Sequence, residues 1–185
     1  MTSTDDRTSR RIAVLVAMEG IEQVELTSPW QALEEAGFEP VLVAPQEGEV
    51  QAFEHLDKAD TFPVDRTVAE VSSEDFAGLV LPGGVANPDA LRLDAAAVAL
   101  VRDFVQGGRP VAAICHAIWM LVEADAVRDR TVTSWPSLQT DVRNAGGTWV
   151  DQEVVTDGRL VTSRKPDDLP AFNAAVLEVL GADRG

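Results

Sequence analysis

Cysteine and histidine are scarce in this chain, whose 185 residues include one cysteine, Cys115, and two histidines, His55 and His116. A single cysteine excludes an internal disulfide, so we expect a reducing, cytoplasmic location. These three residues do not show the spacing of zinc ligands, and no metal site is predicted. No glycine fingerprint for nucleotide phosphates appears either, and we predict no cofactor.

Positive charge is also scarce, with 15 Lys and Arg against 31 Asp and Glu and a formal net charge of −16. Such a surface repels phosphate backbones, so we predict no nucleic-acid partner. No apolar run approaches the roughly 18 residues that cross a bilayer, and we predict no membrane contact. The run "IAVLVAM" is too short for a secretory signal and is interpreted as a strand.

Apolar runs typical of buried strands alternate along the chain with segments of helical periodicity. Strands are predicted at residues 11–18, 40–45, 78–84, 110–115, 131–136 and 148–164, the last with a hairpin turn at Asp157-Gly158. Helices are predicted at 94–108, 117–124, 137–145 and 166–180, and before Gly37, where Leu26, Trp30 and Leu33 share a face. Residues 49–72 are predicted to form an edge hairpin or irregular strands. This order predicts an α/β sandwich with a mostly parallel central sheet, one domain over 11–185 after a polar tail of residues 1–10.

Cys115 stands where an apolar strand is predicted to end and a helix to begin. Ala113 and Ala117 flank it two positions away, as the tight turn of a nucleophile elbow requires. Functional groups collect at the carboxyl ends of strands in open α/β sheets, and the amides of a following helix favour a thiolate. The competing interpretation is a small, inert, buried thiol. His116, which comes next, is either a base or a cap.

Three further candidates follow predicted strands. Gly83 and Gly84 free their backbone amides for an oxyanion, although Pro-Gly-Gly is also common in ordinary turns. Glu22 follows the first strand, although a glutamate at a helix start is often only favourable to the helix dipole.

The remaining candidates concern a pocket above Cys115. Trp119 and Trp135 would wall that pocket or else belong to the core. Arg164 would clamp a substrate carboxylate or else form a surface ion pair.

Four segments in their relative positions carry a resemblance to a known family. They are "IEQVEL" (21–26), "LVLPGG" (79–84), "AAICHA" (112–117) and "TSWPSLQTDVRNAGGTWVDQEVVTDGRLVTSR" (133–164). The chain resembles the DJ-1/PfpI superfamily, with most similarity to its PfpI-like bacterial general stress proteins. The resemblance implies a flavodoxin-like three-layer fold related to class I glutamine amidotransferase domains.

This chain departs from the family at three positions. Ile118 replaces the proline that often follows the small residue after the histidine. Asp125 and Asp129 stand where small residues or glycine are expected, and aspartate tolerates a left-handed backbone better than most residues.

The resemblance also implies roles for individual residues. Cys115 matches the elbow nucleophile, and His116 matches the histidine after it. Glu22 matches the glutamate that hydrogen-bonds the thiol, and Gly83 and Gly84 match the oxyanion glycines.

A composite site in a homodimer is a further implication. Asp89 matches an acidic residue that reaches the histidine of a neighbouring subunit. The Asn87-Pro88 step favours an extended backbone, which suits a projecting arm. The alternative is that Asp89 caps a surface turn.

Three functions remain open from the sequence. The first is an enzyme in which Cys115 attacks a carbonyl, His116 moves protons, and the amides of Gly84 and His116 stabilise the oxyanion. The resemblance implies peptide hydrolysis, deglycation or glyoxalase III-type chemistry, and we favour small carbonyl substrates. The second is a stress sensor or chaperone in which Cys115 is oxidised to sulfenic or sulfinic acid. The third is a structural domain with an inert thiol.

Overall fold

The computed structural model describes Thr8 and residues 10–181, so residues 1–7 and 9 of the predicted polar tail lie outside the described residues. The strands are β1 (Arg11–Leu15), β2 (Glu19–Glu22), β3 (Glu39–Ala44), β4 (Glu49–Glu54), β5 (Asp57–Pro63), β6 (Arg66–Thr67), β7 (Gly78–Leu81), β8 (Val111–Ile114), β9 (Thr131–Val132), β10 (Thr148–Trp149), β11 (Val154–Asp157) and β12 (Leu160–Ser163). The helices are α1 (Gln23–Glu35), α2 (Ala86–Leu91), α3 (Ala95–Gln106), α4 (Ile118–Glu123), α5 (Gln139–Asn144) and α6 (Leu169–Gly181).

A seven-stranded sheet in the order β11-β12-β8-β7-β1-β3-β6 forms the centre of the fold. Every neighbouring pair is parallel except β11 and β12, which form an antiparallel hairpin. The predicted α/β sandwich with a mostly parallel sheet is therefore confirmed. Strands β2, β4 and β5 form a smaller sheet, and β9 and β10 form a parallel pair.

The two faces of the central sheet are both buried, because side chains alternate between faces along each strand. On β1, Ala13 and Leu15 pack into a core with α3, α4 and α5. Ile12 and Val14 point the other way and pack with α1 and α6. Continuous apolar runs are expected for strands covered on both sides, and they produce three layers here.

Helix α1 ends at Glu35, and the predicted C-terminal glycine, Gly37, follows with a φ of +83°. The amide of Phe38 donates to the carbonyl of Leu33 at 2.9 Å and closes that end. Pro29 lies inside the helix. Strand β2, which was not predicted, comes between the first strand and this helix.

The predicted Asp157-Gly158 hairpin turn is confirmed by the pairing of Asp157 with Leu160 and by the φ of +62° at Gly158. Residues 49–63 form the β4–β5 hairpin, which pairs with β2. Only Thr131–Val132 of the predicted strand 131–136 is a strand. None of the described helices combines the length and the apolar composition that a bilayer crossing needs.

Candidate active site

Cys115 opens a 3-10 turn, Cys115–Ala117, directly after β8, and its φ is +63°. A residue with a side chain pays about 1–2 kcal/mol for this left-handed conformation, so the surrounding structure must hold it. One restraint is the amide of Trp135, which donates to the carbonyl of Cys115 at 3.2 Å. The turn lifts the sulfur off the strand end, and this is the geometry of a nucleophile elbow.

His116 lies beside the sulfur, with its Nδ1 at 3.2 Å from Sγ of Cys115. Its ring stacks on Trp135 with centroids 5.7 Å apart and meets the edge of Trp119 at 5.3 Å. Burial lowers the pKa of His116, because the charged imidazolium loses its hydration. A neutral imidazole at this distance can accept the thiol proton.

The carboxyl group that contacts the thiol belongs to Glu25, and the assignment of Glu22 to this role is wrong. Glu25 is fully buried, and its Oε2 accepts a hydrogen bond from the amide of Gly83 at 2.8 Å. Burial raises the pKa of Glu25 to about 8. The side chain is therefore a neutral acid at pH 7 and can donate a hydrogen bond to Sγ.

Glu22 ends β2 and precedes α1, and its Oε2 accepts a hydrogen bond from the amide of His55 at 3.1 Å. Helical periodicity begins only at Gln23, so it places Glu25 on the buried side with Pro29. Glu25 and Pro29 are four residues apart and therefore lie on the same face of the helix, so this spacing could have identified Glu25 as the buried glutamate.

Burial raises the pKa of the Cys115 thiol, and the charge of Glu25 raises it further once that carboxyl group ionises. The prediction that a helix terminus favours the thiolate is therefore wrong, because burial has the larger effect on the pKa of the thiol. The helix that follows has only six residues, and the 3-10 turn separates it from the strand. The backbone amides of His116 and Gly84 act in the opposite direction and lower the pKa. Proton transfer within the Glu25–Cys115–His116 group thus decides when the thiolate forms.

The two predicted oxyanion glycines have different roles in the structure. The amides of Gly84 and His116 face the sulfur and lower the pKa of the thiol, whereas the amide of Gly83 donates a hydrogen bond to Glu25. A Cβ on Gly83 would lie 2.8 Å from the Cβ of Cys115, so only glycine allows this close approach. Gly84 has a φ of +83°, which also favours glycine.

Asn87 holds this glycine turn in place and was missed by the sequence analysis. Its side chain is fully buried and donates to the carbonyls of Pro82 and Gly83, both at 2.9 Å. Its Oδ1 accepts a hydrogen bond from the amide of Ala17 at 2.7 Å. The amide thereby joins the end of the first strand to the turn beside the thiol.

A cavity of about 240 Å³ lies over the sulfur. Its lining residues are Glu22, Glu25, His55, Leu56, Gly84, Val85, Cys115, His116, Trp135 and Pro166. Trp135 lines the cavity as predicted. Trp119 does not, and its Nε1 instead donates to Asp141 at 2.9 Å while its ring packs against His116.

Arg164 also lies outside this cavity lining. Its guanidinium donates two hydrogen bonds to Asp168, at 2.8 and 3.0 Å, and one to Asp151 at 2.8 Å. The ion-pair interpretation therefore fits, and the predicted substrate clamp does not.

Asp89 lies exposed on α2, a helix that packs against the Cys115–Ala117 turn. The predicted extended arm at Asn87-Pro88 is wrong, because both residues are helical. Within the described residues, no carboxylate hydrogen-bonds the His116 ring. The contribution of Asp89 to a neighbouring subunit stays a prediction. Among the same residues, no three acidic, histidine or cysteine side chains cluster as metal ligands would.

Comparison with protein families gives a match of residues 10–179 to the DJ-1/PfpI family. Protein/nucleic acid deglycase 2 of Escherichia coli is 44% identical over 175 residues, which cover 94% of this chain and 99% of that protein. YraA of Bacillus subtilis, named as a candidate cysteine protease, is 38% identical over 93% of this chain and 99% of its own. Deglycase PH1704 of Pyrococcus horikoshii is 39% identical over 92% of this chain and 99% of that protein.

Solved structures share the architecture. A two-domain protein of Anabaena variabilis, with DJ-1/ThiJ/PfpI-like and ferritin-like domains, aligns with a TM-score of 0.88 and 32% identity over 93% of this chain. This chain spans about half of that protein, 48% of its length. DJ-1beta of Drosophila melanogaster aligns with a TM-score of 0.80 and 28% identity, covering 94% of this chain and 96% of that one.

Proposed function

Since this chain belongs to the DJ-1/PfpI family, we propose that it is a deglycase that uses Cys115 to remove small carbonyl adducts from amines. The names of its relatives support an enzyme of the deglycase or protease type. The observation that carries the proposal is the contact of 3.2 Å between Sγ of Cys115 and Nδ1 of His116 at the floor of a cavity. Removal of carbonyl adducts is a stress-response function, and a lone unpaired thiol suits the cytoplasm.

The size of the cavity favours a small substrate over a polypeptide. Its volume of about 240 Å³ lies below the range of about 300–1,000 Å³ that is usual for small-molecule sites. A three-carbon adduct and part of the amine-bearing side chain fit such a space. A protease needs, in addition, an extended groove that holds several residues on both sides of the scissile bond.

The site residues can break down a methylglyoxal adduct in three steps, each of which balances in atoms and electrons. Sγ of Cys115 bonds to the carbon that carries the amine, the C–N bond breaks, and the amine leaves with the thiol proton delivered through His116. A proton then moves from that carbon to its neighbour through an enediol, which converts the hemithioacetal into a thioester. Water cleaves the C–S bond and releases lactate and the thiol. No external oxidant or reductant is consumed.

Three groups stabilise the charges that develop in these steps. The amides of Gly84 and His116 already lie at the sulfur and can donate to an oxyanion on the adjacent carbon. Glu25 is protonated at neutral pH, because its pKa is about 8, and can return a proton to the reacting oxygen. Its burial keeps this acid away from bulk water.

The test uses purified protein and preformed methylglyoxal adducts of N-acetylarginine and N-acetyllysine. We expect release of free amine and lactate faster than spontaneous dissociation, and loss of at least about 1,000-fold in Cys115→Ala. An exposed helix substitution, Glu34→Gln, is the matched control and should retain activity.

Each other result points to a different chemistry. Turnover of free methylglyoxal alone indicates a glyoxalase, and cleavage of unmodified peptides indicates a peptidase. Equal rates for wild type and Cys115→Ala contradict the proposal.

We further propose that two copies share each site, with Asp89 of one protomer orienting His116 of the other. A histidine base needs an orienting acid, and within the described residues its ring has none. Sedimentation at micromolar concentration should show a dimer, and Asp89→Asn should lower kcat by about 10–100-fold. A fully active monomer contradicts this assembly.

One observation favours the alternative of an oxidation sensor. The amides of Gly84 and His116 that point at Sγ would equally stabilise the oxygens of a sulfinic acid. Mass spectrometry after mild peroxide treatment separates the two functions. Addition of two oxygen atoms at Cys115, in a protein without any adduct turnover, favours the sensor.

A further inference from the structure

The fixed charge that lines the cavity over Cys115 is negative. Its described lining contains the carboxylate of Glu22, the neutral acid Glu25 and the two histidines His55 and His116, but no lysine or arginine. An anionic substrate would therefore meet no permanent positive partner. A cationic group would meet a carboxylate, in a chain whose formal net charge is −16.

Glu22 is the carboxylate placed to receive such a group. Its side chain is 14% exposed, and its Oε2 lies 3.1 Å from the amide of His55 and 4.0 Å from Nδ1 of the same residue. Its charge also raises the pKa of Glu25, so the two carboxyl groups share one electrostatic environment. A cation bound at Glu22 would relieve that repulsion.

The β4–β5 hairpin fixes the position of Glu22 and of His55 at the hairpin tip. Strand β4 pairs with β2 so that Glu22 lies opposite Phe53. Next to it, the side chain of Gln23 makes two hydrogen bonds to Asp60, at 2.8 and 2.9 Å. Strand β5 is thus tied to the residue next to Glu22, and the carboxylate is held before any ligand arrives.

An apolar rim surrounds this carboxylate. Leu56 at the hairpin tip is 94% exposed, Val85 is 56% exposed and Trp135 is 37% exposed, and all three line the cavity. Large exposed apolar side chains grouped around a pocket mark a binding surface. An aliphatic stem that ends in a cation matches the combination of rim and carboxylate.

We propose that Glu22, positioned by the hairpin tip, is a specificity residue that binds a guanidinium on an aliphatic stem, as in carbonyl adducts of arginine side chains. The substrate class rests on the deglycase function proposed above, whereas the cation subsite does not. A guanidinium keeps its charge when one nitrogen carries a carbinol, and its planar donors match a carboxylate. Adducts on phosphate-bearing molecules are disfavoured by the same charges.

The test measures binding without turnover, through protection of Cys115 from iodoacetamide by three probes of similar length. They are butylguanidinium, butanol and butyrate. In the wild type we expect butylguanidinium to protect at a concentration about tenfold lower than butanol, and butyrate to protect least. Glu22→Gln should reduce the preference for butylguanidinium over butanol to about twofold, with the fold verified by circular dichroism. The matched control Glu54→Gln changes an exposed carboxylate of the same hairpin outside the cavity lining, and it should keep the tenfold preference.

Two outcomes overturn the inference: no preference among the probes in the wild type, including no protection by any of them, or the same preference in Glu22→Gln. Since alkylation requires no substrate turnover, a failure of the deglycase assay alone leaves the cation subsite standing. Conversely, an active deglycase without charge preference removes the subsite and keeps the function.

Discussion

The elbow at Cys115 and the hairpin tip at His55 have nearly the same backbone conformation in opposite surroundings. Their φ angles are +63° and +59°, both in the left-handed region that side chains disfavour. Cys115 is 7% exposed, whereas the side chain of His55 is 89% exposed. The same local strain is thus retained in the core and at the surface.

The two turns differ in what holds them. The elbow is restrained from several directions, by the amide of Trp135, the close approach of Gly83 and the Asn87 hydrogen bonds behind that glycine. The tip is held by its own strand pairing and by one hydrogen bond to Glu22. The strained backbone conformation of Cys115 persists because several independent contacts hold it, and this rigidity fixes the direction of the sulfur.

Among the single substitutions, the largest expected effect comes from Gly83→Ala, which should destabilise the protein by about 3 kcal/mol. The added Cβ would lie 2.8 Å from both Cys115 Cβ and the carbonyl of Ile114, and would meet the Glu25 carboxylate. Urea denaturation measures the loss. Gly108→Ala is the matched control, because its φ is +67° but nothing lies within 4 Å of the added atom. It should cost only about 1 kcal/mol. Equal costs would mean that the elbow is no more constrained than an open turn.

Glu25 should make the stability of the elbow dependent on pH. Its pKa is raised from 4.5 to about 8 in the folded protein, so the native state binds more protons than the unfolded state between these values. This contribution to stability is complete below pH 4.5 and disappears as the pH rises through 8. It should amount to a decrease on the order of 4 kcal/mol between pH 5 and 8.5.

Glu25→Gln keeps both a donor and an acceptor but does not titrate, so its stability should change less over the same range. Urea unfolding of both proteins at several pH values isolates the effect, because all other titrating groups are common to the two. Parallel curves for the two proteins would contradict the raised pKa.

The smallest effect is expected at the tip, where His55→Gly should stabilise the protein by about 0.5–1 kcal/mol. Glycine adopts a φ of +59° without steric cost, and the exposed imidazole contributes little. His55→Ala loses the imidazole but keeps the backbone strain, so it should show no gain in thermal denaturation. A gain in both variants would place the strain elsewhere.

Features that depend on local pattern were predictable from the sequence. The apolar runs located most strands, and the small residues around Cys115 located the elbow, because tight backbone packing restricts residue size in a short segment. Asp125 and Asp129 adopt φ angles of +53° and +59°, as the tolerance of aspartate allows. These properties require no knowledge of distant segments.

Features that depend on how segments meet were not predictable. Glu22 and Glu25 are three residues apart, and the choice between them depended on a short strand, β2, that only pairing with β4 stabilises. Asn87 looked like part of an extended arm, but its three hydrogen bonds to Ala17, Pro82 and Gly83 hold it in a helix. Arg164 meets Asp151 because the β11–β12 hairpin brings the two residues together.

The order of the site's segments along the chain also has a consequence for biosynthesis. The groups around the thiol come from helix α1, the glycine turn and the elbow, and β8 pairs with β12, which is made after Cys115. Until the ribosome has added residues 135–163, the elbow lacks its tryptophan restraint, and β8 has only β7 as a neighbouring strand. The complete surroundings of the sulfhydryl therefore form only when synthesis is nearly finished.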